Sequence, residues 1–255
     1  MSQAREQIYR YNNNDLLFLS GNNIPFIGAQ LIIHQPTIKE VGLIGEEAFF
    51  TGCQLLNFSK NLLTEEDKSN LEDKTNFDIL IAILREQNAV MQKNRNCVNM
   101  VLALLFPEYS IQFKKDCILL QKENDNNEYQ INSSNFEEFK EIFSIMFQLK
   151  QDESSTFNPS GELASRIAAK LQKRHQKLAE EKPDKKIDIL SRYISILSVA
   201  QHKDINILLN YTVYQLFDEF KRNELKMSYD IYLKAQLAGA KDLKEVEDWM
   251  QDIHS

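Results

Sequence analysis

The sequence predicts a mainly helical α+β protein, with an N-terminal β-element, a helical body, one mid-chain β-hairpin and a helical C-terminal part. First, the 255 residues include only seven glycines and five prolines, and 43% of them are hydrophobic, enough for a core. Second, capping-box patterns recur ahead of segments with helical periodicity. Third, short apolar runs bounded by turn residues occur near the N-terminus and near the middle of the chain.

The N-terminal region predicts two short strands followed by a helix. Asp15–Leu19 and Gln30–His34 are apolar runs separated by a stretch rich in Ser, Gly, Asn and Pro. Thr37 and Glu40 then form a capping-box pattern, in which the Thr side chain accepts the amide of residue 40 and Glu40 reaches back to the Thr amide. Pro36 holds the entry to this helix extended.

Three further patterns, Thr75/Asp78, Ser134/Glu137 and Thr212/Gln215, predict helix starts in the same way. Apolar residues at i, i+3, i+4 and i+7 support helices in the region between 75 and 107. They are Phe77, Leu80, Ile81 and Leu84, and then Val98, Val101, Leu102 and Leu105.

The middle of the chain predicts a β-hairpin and a buried helix. Tyr109–Gln121 and Glu128–Ile131 are the candidate strands, with Asn124–Asn127 as their polar turn. In the following helix, Asn135–Leu149, four phenylalanines share one side, which is typical of core packing. They are Phe136, Phe139, Phe143 and Phe147.

The polar stretch Lys150–Ser160 is the candidate domain boundary. The predicted division is an α+β domain at 1–150, a linker and basic helix at 151–186, and a helical domain at 187–255. The basic helix has a narrow apolar stripe, formed by Leu163, Ile167, Leu171 and Leu178.

The C-terminal part predicts a dense apolar helix at Ile187–Ala200, a short element at Asp204–Leu209 and a long amphipathic helix at Thr212–Ala238. In the tail, helical spacing brings an aromatic residue and three aliphatic ones onto one face. They are Val246, Trp249, Met250 and Ile253, and we interpret them either as a partner-binding face or as residues that pack on the long helix.

The sequence predicts no enzyme, cofactor or metal. The four histidines form no metal-binding pattern, and no phosphate-binding glycine loop occurs. Gly42 and Gly45 lie in a helical pattern, where we expect them to allow a close helix contact or a kink. Adjacent residues on a helix point about 100° apart, so Glu46 and Glu47 do not suit shared acid–base catalysis. The three cysteines are expected to be free and buried.

A formal charge of −7 disfavours a broad nucleic-acid-binding surface. Residues 194–223 nevertheless resemble a helix-turn-helix weakly, so a DNA-binding regulator is one alternative. We find no signal peptide or membrane span in the sequence and expect a protein of the cytoplasm that does not bind membranes.

The stretch His34–Phe50, HQPTIKEVGLIGEEAFF, resembles a motif of proteins encoded in the tail modules of tailed bacteriophages, mostly of Firmicute hosts. Further stretches resemble the same group and extend the similarity over most of the chain. They are Phe106–Tyr109, Asn135–Phe139, Leu209–Phe220 and Ala235–Ile253. We assign a structural role to five residues of the His34–Phe50 motif. They are Pro36, Thr37, Glu40, Gly42 and Gly45.

The resemblance implies a non-enzymatic tail-assembly chaperone or baseplate assembly protein. Its implied partners are tape-measure, tail-tube or baseplate proteins, and self-association is left open. The second hypothesis is a structural tail or baseplate component that remains in the virion tail.

Overall fold

The computed structural model describes residues 15–59, 73–85, 89–122, 127–149, 188–240, 243 and 246–250. These residues form helices and two small antiparallel sheets, which confirms the predicted mainly helical α+β class. The helices are α1 Asp15–Leu19, α2 Ile38–Ile44, α3 Glu46–Leu56, α4 Asn76–Arg85, α5 Ala89–Leu105, α6 Phe136–Met146, α7 Ile189–Gln201, α8 Ile205–Leu209 and α9 Val213–Leu237. The strands are β1 Ile24–Phe26, β2 Leu31–Ile33, β3 Tyr109–Phe113, β4 Cys117–Lys122 and β5 Glu128–Asn132.

The first predicted strand is wrong, because Asp15–Leu19 forms helix α1. The helix places Phe18 against Tyr214 of α9, with ring centroids 5.5 Å apart, and the Leu19 carbonyl accepts a hydrogen bond from Gln215. The actual partner of β2 is β1, which lies in the predicted turn region and pairs Ile24 with Ile33. Tertiary packing therefore decides the conformation of an apolar run that is too short to show a period.

The predicted mid-chain hairpin exists as β4 and β5, but it belongs to a three-stranded sheet of order β3-β4-β5. The long candidate strand Tyr109–Gln121 divides into β3 and β4, which pair Phe113 with Ile118. Lys115 and Asp116 lie in the connection between them. Of the predicted turn 124–127, only Asn127 is among the described residues.

The core joins both halves of the chain. All four phenylalanines of the predicted stripe on α6 are buried, and the α6 residue Phe143 and its neighbour Phe147 meet edge to face. The described residues within 1–149 and 190–255 form one compact unit. The predicted boundaries give residues 187–255 a domain of their own, whereas Leu190, Leu197 and Leu208 lie in the same core cluster as the N-terminal helices.

The predicted linker and basic helix at 151–186 lie outside the described residues. Cys53, Cys97 and Cys117 are free and buried, as expected.

Three of the four predicted capping boxes form. They are Thr37 with Glu40, Thr75 with Asp78 and Thr212 with Gln215. The prediction at Ser134 is wrong, because α6 begins one residue later with Asn135 as its N-cap. The Ser134 hydroxyl instead bonds the Asn132 side chain, and the Asn135 side chain accepts the Asn132 amide.

Gly45 produces the kink that was one of the two expected roles of the glycines. It lies between α2 and α3 with φ 86° and ψ 140°, a conformation that favours glycine. In the part of the chain that the structure describes, a Cβ at Gly42 or Gly45 would meet no atom within 4 Å, so neither marks a close contact. The close contact is at Gly52, where a Cβ would lie 2.6 Å from Val101 Cγ2.

Candidate functional site

An open groove of about 740 Å³ lies between the start of α9 and the turn that joins α7 to α8. Its lining is mixed in charge and carries two aromatic residues. The residues are Leu19, Ala200, Gln201, Lys203, Tyr211, Gln215, Asp218, Glu219, Arg222, Asn223, Lys226 and Trp249. We refer to this surface as the α9 groove.

Lys203 is one of the three basic residues that line the α9 groove. Its ammonium group donates to the Tyr211 hydroxyl at 2.9 Å and to the Glu219 carboxylate. Burial opposes its charge, but the hydrogen bonds to Glu219 and Tyr211 outweigh that effect and raise the pKa of Lys203. The lysine therefore stays charged at neutral pH and fixes two groove side chains in place.

The α9 groove is positioned by the capping box at Thr212. Because Thr212 fixes where α9 begins, Gln215, Glu219 and Arg222 recur on one face of the helix at helical spacing. The Gln215 side chain closes the capping box by accepting the Thr212 amide and also donates to the Leu19 carbonyl at 2.7 Å. The helix start and the groove wall are thus parts of one hydrogen-bond network.

The C-terminal segment reaches the rim of this groove. Arg222 donates through Nη1 to the main-chain carbonyl of Trp249 at 2.8 Å. The ammonium group of Lys226 lies 6.0 Å from the centre of the Trp249 ring, at the limit for a cation–π contact. The groove therefore already holds a short piece of polypeptide by one main-chain group and one aromatic ring.

The three predicted partner-binding residues within the described part of the chain are not arranged on a helical face. Trp249 is half-buried against α9, whereas Met250 is 68% exposed. Val246 is half-buried, and Ile253 lies outside the described residues. Residues 246–248 take neither helical nor strand conformation and Trp249 and Met250 form a turn, so the helical spacing predicted for the tail is absent from 246–250.

The structural motif at 36–45 lies apart from the α9 groove lining. Thr37 donates its amide to Glu40 at 2.7 Å and its hydroxyl at 2.8 Å. His34 lies 3.2 Å from both Glu40 oxygens and 3.1 Å from the Asn23 side chain. Burial raises the pKa of Glu40, but the bonds from Thr37 and His34 more than offset this and lower it below 4.5.

Residues 194–223 form the end of α7, α8 and the first half of α9. A helix-turn-helix presents the N-terminal residues of its recognition helix to the bases. Here Val213, Tyr214 and Leu216 are buried in the core, and the exposed side of the same turns carries Asp218 and Glu219 into the α9 groove. This arrangement does not favour contact with phosphates.

Sequence reasoning did not identify Lys203, Tyr211, Glu219, Arg222 or Lys226 as parts of one site. The polar stripe at 215, 219, 222 and 226 was readable once the capping box had fixed the start of α9. The contribution of Lys203 and Tyr211 could not be predicted from the sequence, because it depends on how α7 and α8 turn back onto α9.

Within the described residues, no group of three or more His, Cys, Asp or Glu could hold a metal ion. Among the same residues, none of the helices combines the length and the apolar character needed to cross a bilayer.

Residues 182–254 match a family model described as the YomV second domain. YomV is a protein of a Bacillus phage region, so the match is consistent with a phage origin. The matched range contains α7, α8, α9 and every residue that lines the α9 groove except Leu19. Searches of curated proteins and of solved structures returned no match.

Proposed function

We propose that this protein is a non-enzymatic tail-assembly chaperone of a phage, which binds a tape-measure or tail-tube protein at the α9 groove. The observation that carries the proposal is the Trp249 segment held by Arg222 and Lys226. The hydrogen bond from Arg222 to the Trp249 carbonyl keeps the Trp249 side chain and the exposed Met250 at the rim of the charged groove, where a client segment would meet both.

The composition of the α9 groove supports a protein partner. Tyr, Trp and Arg are enriched where proteins bind one another, and all three residue types line the groove. Both signs of charge are also present, with Lys203 and Arg222 beside Asp218 and Glu219. A client helix with charged and aromatic residues would find complementary groups there, while the polar lining would permit its release.

The resemblance of the chain to phage tail-module proteins and the family match at 182–254 support a role in the assembly of the phage particle. In this role the Trp249 side chain and the exposed Met250 contact the client beside the α9 groove. The protein acts in the host cytoplasm and is absent from the finished virion. A structural component of the tail or baseplate would instead remain in the particle.

The test is co-expression of the tagged chain with the tail-module proteins of its own phage genome, followed by pull-down. We expect the tape-measure or tube protein to co-purify. The double variant Trp249→Ala/Met250→Ala should weaken its binding about 30-fold, since aromatic residues central to an interface each contribute about 2 kcal/mol or more. The matched control is Lys221→Ala, which removes an exposed cation from α9 that does not line the groove.

Failure of every tail-module protein to co-purify would refute the proposal, and equal binding by the double variant and the control would refute the role of Trp249 and Met250. Mass spectrometry of purified virions separates the two phage hypotheses, because a chaperone should be missing from mature particles. Binding to generic duplex DNA that weakens steeply with added salt would favour the DNA-binding alternative instead.

A further inference from the structure

The outer part of α9 extends beyond the core. Leu225 is the last buried residue of this helix within the part of the chain that the structure describes. After it, Met227 is 51% exposed and Ile231 is 64% exposed. At 1.5 Å per residue, the stretch from 224 to 238 is about 22 Å long.

Four residues of this stretch follow the alternating three- and four-residue spacing of a helix-pairing seam. At 100° per residue they fall within an arc of about 80°. We call them the α9 seam: Glu224, Met227, Ile231 and Lys234. The apolar pair lies at the middle, with an acidic residue on one side and a basic residue on the other.

This order is complementary to itself when the helix is reversed. If a second α9 lies antiparallel with the two-fold axis level with residue 229, Met227 faces Ile231 of the other copy. The same register sets Glu224 opposite Lys234. Both pairs then occur twice, as an isologous interface requires. A parallel pairing would set Glu224 against Glu224 and Lys234 against Lys234, so the charges select the antiparallel arrangement.

We infer that two copies of this chain associate through the α9 seam as an antiparallel pair of helices. The centre of the seam lies beyond the groove along α9, because Ile231 follows Lys226, the last α9 residue of the groove lining, by five residues. The two surfaces meet at Met227, whose sulfur accepts a hydrogen bond from the groove residue Asn223 at 3.5 Å. The inference does not depend on the proposed function.

The seam is short, and its area falls below that of a standard stable interface. The dimer is therefore a concentration-dependent one, with a dissociation constant on the order of micromolar or weaker. Sedimentation velocity of the full chain over a roughly hundredfold range of concentration should show a shift from monomer to dimer.

The decisive variants exchange the seam charges. Glu224→Lys and Lys234→Glu should each weaken the dimer about tenfold, because each replaces two opposite-charge pairs by like-charge pairs. The double variant Glu224→Lys/Lys234→Glu should restore association to near the wild-type level, since positions 224 and 234 would again carry opposite charges across the two-fold axis. Both positions are exposed in the chain, so the variants are expected to fold, and circular dichroism checks this.

Ile231→Asp should abolish the dimer, because it puts a charge among the central apolar residues. It should leave client co-purification through the groove intact, which separates a failure of this inference from a failure of the proposed function. A wild-type chain that stays monomeric at every concentration overturns the inference. A double charge variant that associates no better than the single ones overturns the antiparallel register.

Discussion

Thr37 and Thr212, the N-cap residues of α2 and α9, lie opposite each other in an antiparallel β-bridge. Each closes a capping box with the residue three positions later, Glu40 or Gln215. Beside the bridge, the Ile38 amide donates to the Tyr211 carbonyl at 2.9 Å. Two helix starts from distant parts of the sequence are therefore fixed to each other, and one of them positions the α9 groove.

Removal of the Thr212 cap should destabilise the protein more than removal of an exposed cap. Thr212→Ala should lower the free energy of unfolding by about 1–2 kcal/mol, because the Thr212 hydroxyl accepts a hydrogen bond from the amide of residue 215 and Thr212 is buried. Thr75→Ala, at an exposed capping box on α4, is the matched control and should lose about 0.5–1 kcal/mol. Urea denaturation measures both, and equal losses would contradict the importance given to the burial of the Thr212 cap.

The glycine pair Gly52 and Gly42 offers opposite outcomes for the same substitution. A Cβ at Gly52 would lie 2.7 Å from the Cys97 carbonyl oxygen, so Gly52→Ala should force α3 and α5 apart and lower the free energy of unfolding by about 1–3 kcal/mol. Gly42 is exposed within α2 and has open space, so Gly42→Ala should raise it by about 0.5–1 kcal/mol. Thermal denaturation of the two variants would test the contrast, which fails if both shift in the same direction.

The Glu40 carboxylate should make folding sensitive to acid. Its pKa is lower in the folded chain than the ordinary value of 4.5, so its stabilising contribution is present above pH 4.5 and is lost as the pH falls through the folded pKa. Glu40→Gln should therefore flatten the dependence of the free energy of unfolding on pH below 4.5. Urea denaturation at a series of acidic pH values measures this slope, and an unchanged slope would contradict the prediction.

The same pKa can be followed directly by NMR titration of the Glu40 carboxyl group. Thr37→Val removes the hydroxyl donor while keeping the shape of the side chain, so it should raise the pKa of Glu40 towards 4.5. Thr75→Val, which makes the equivalent change in the Asp78 capping box, is the control. It should leave the pKa of Glu40 unchanged.

The sequence predicted the features that depend on local rules. A capping box needs two residues three positions apart, and the phenylalanine stripe of α6 needs only a helical period, so both could be recognised without tertiary information. The strand β1 was missed because it has three residues, includes Pro25 and is defined by its partner β2. The conformation of α1 likewise depends on its contacts with Tyr214 and Gln215, and Gln215 follows Leu19 by 196 residues.

The candidate site was predictable only in part, for the same reason. Trp249 and Met250 were identified from their helical spacing and their residue types, but residues 246–250 do not form the helix that the predicted common face requires. What fixes Trp249 is Arg222, which reaches the Trp249 carbonyl from α9. A hydrogen bond to a main-chain carbonyl leaves no signal in the sequence around Trp249, because every residue has that carbonyl.

Trp249 is the one tryptophan of the chain, so its fluorescence reports directly whether the tail is docked on α9. Arg222→Ala removes the hydrogen bond to the Trp249 carbonyl, and Lys226→Ala removes the cation near the ring. Both substitutions should shift the emission maximum to longer wavelength, because the indole becomes more hydrated. The shift should be larger for Arg222→Ala, because a charge-assisted hydrogen bond is stronger than a cation–π contact at 6.0 Å. The emission of the chain unfolded in urea marks the limit of full exposure.

Lys221→Ala, which alters an exposed cation on α9 that does not line the groove, should leave the spectrum unchanged. If Arg222→Ala and Lys221→Ala give the same emission maximum, Arg222 does not hold the tail.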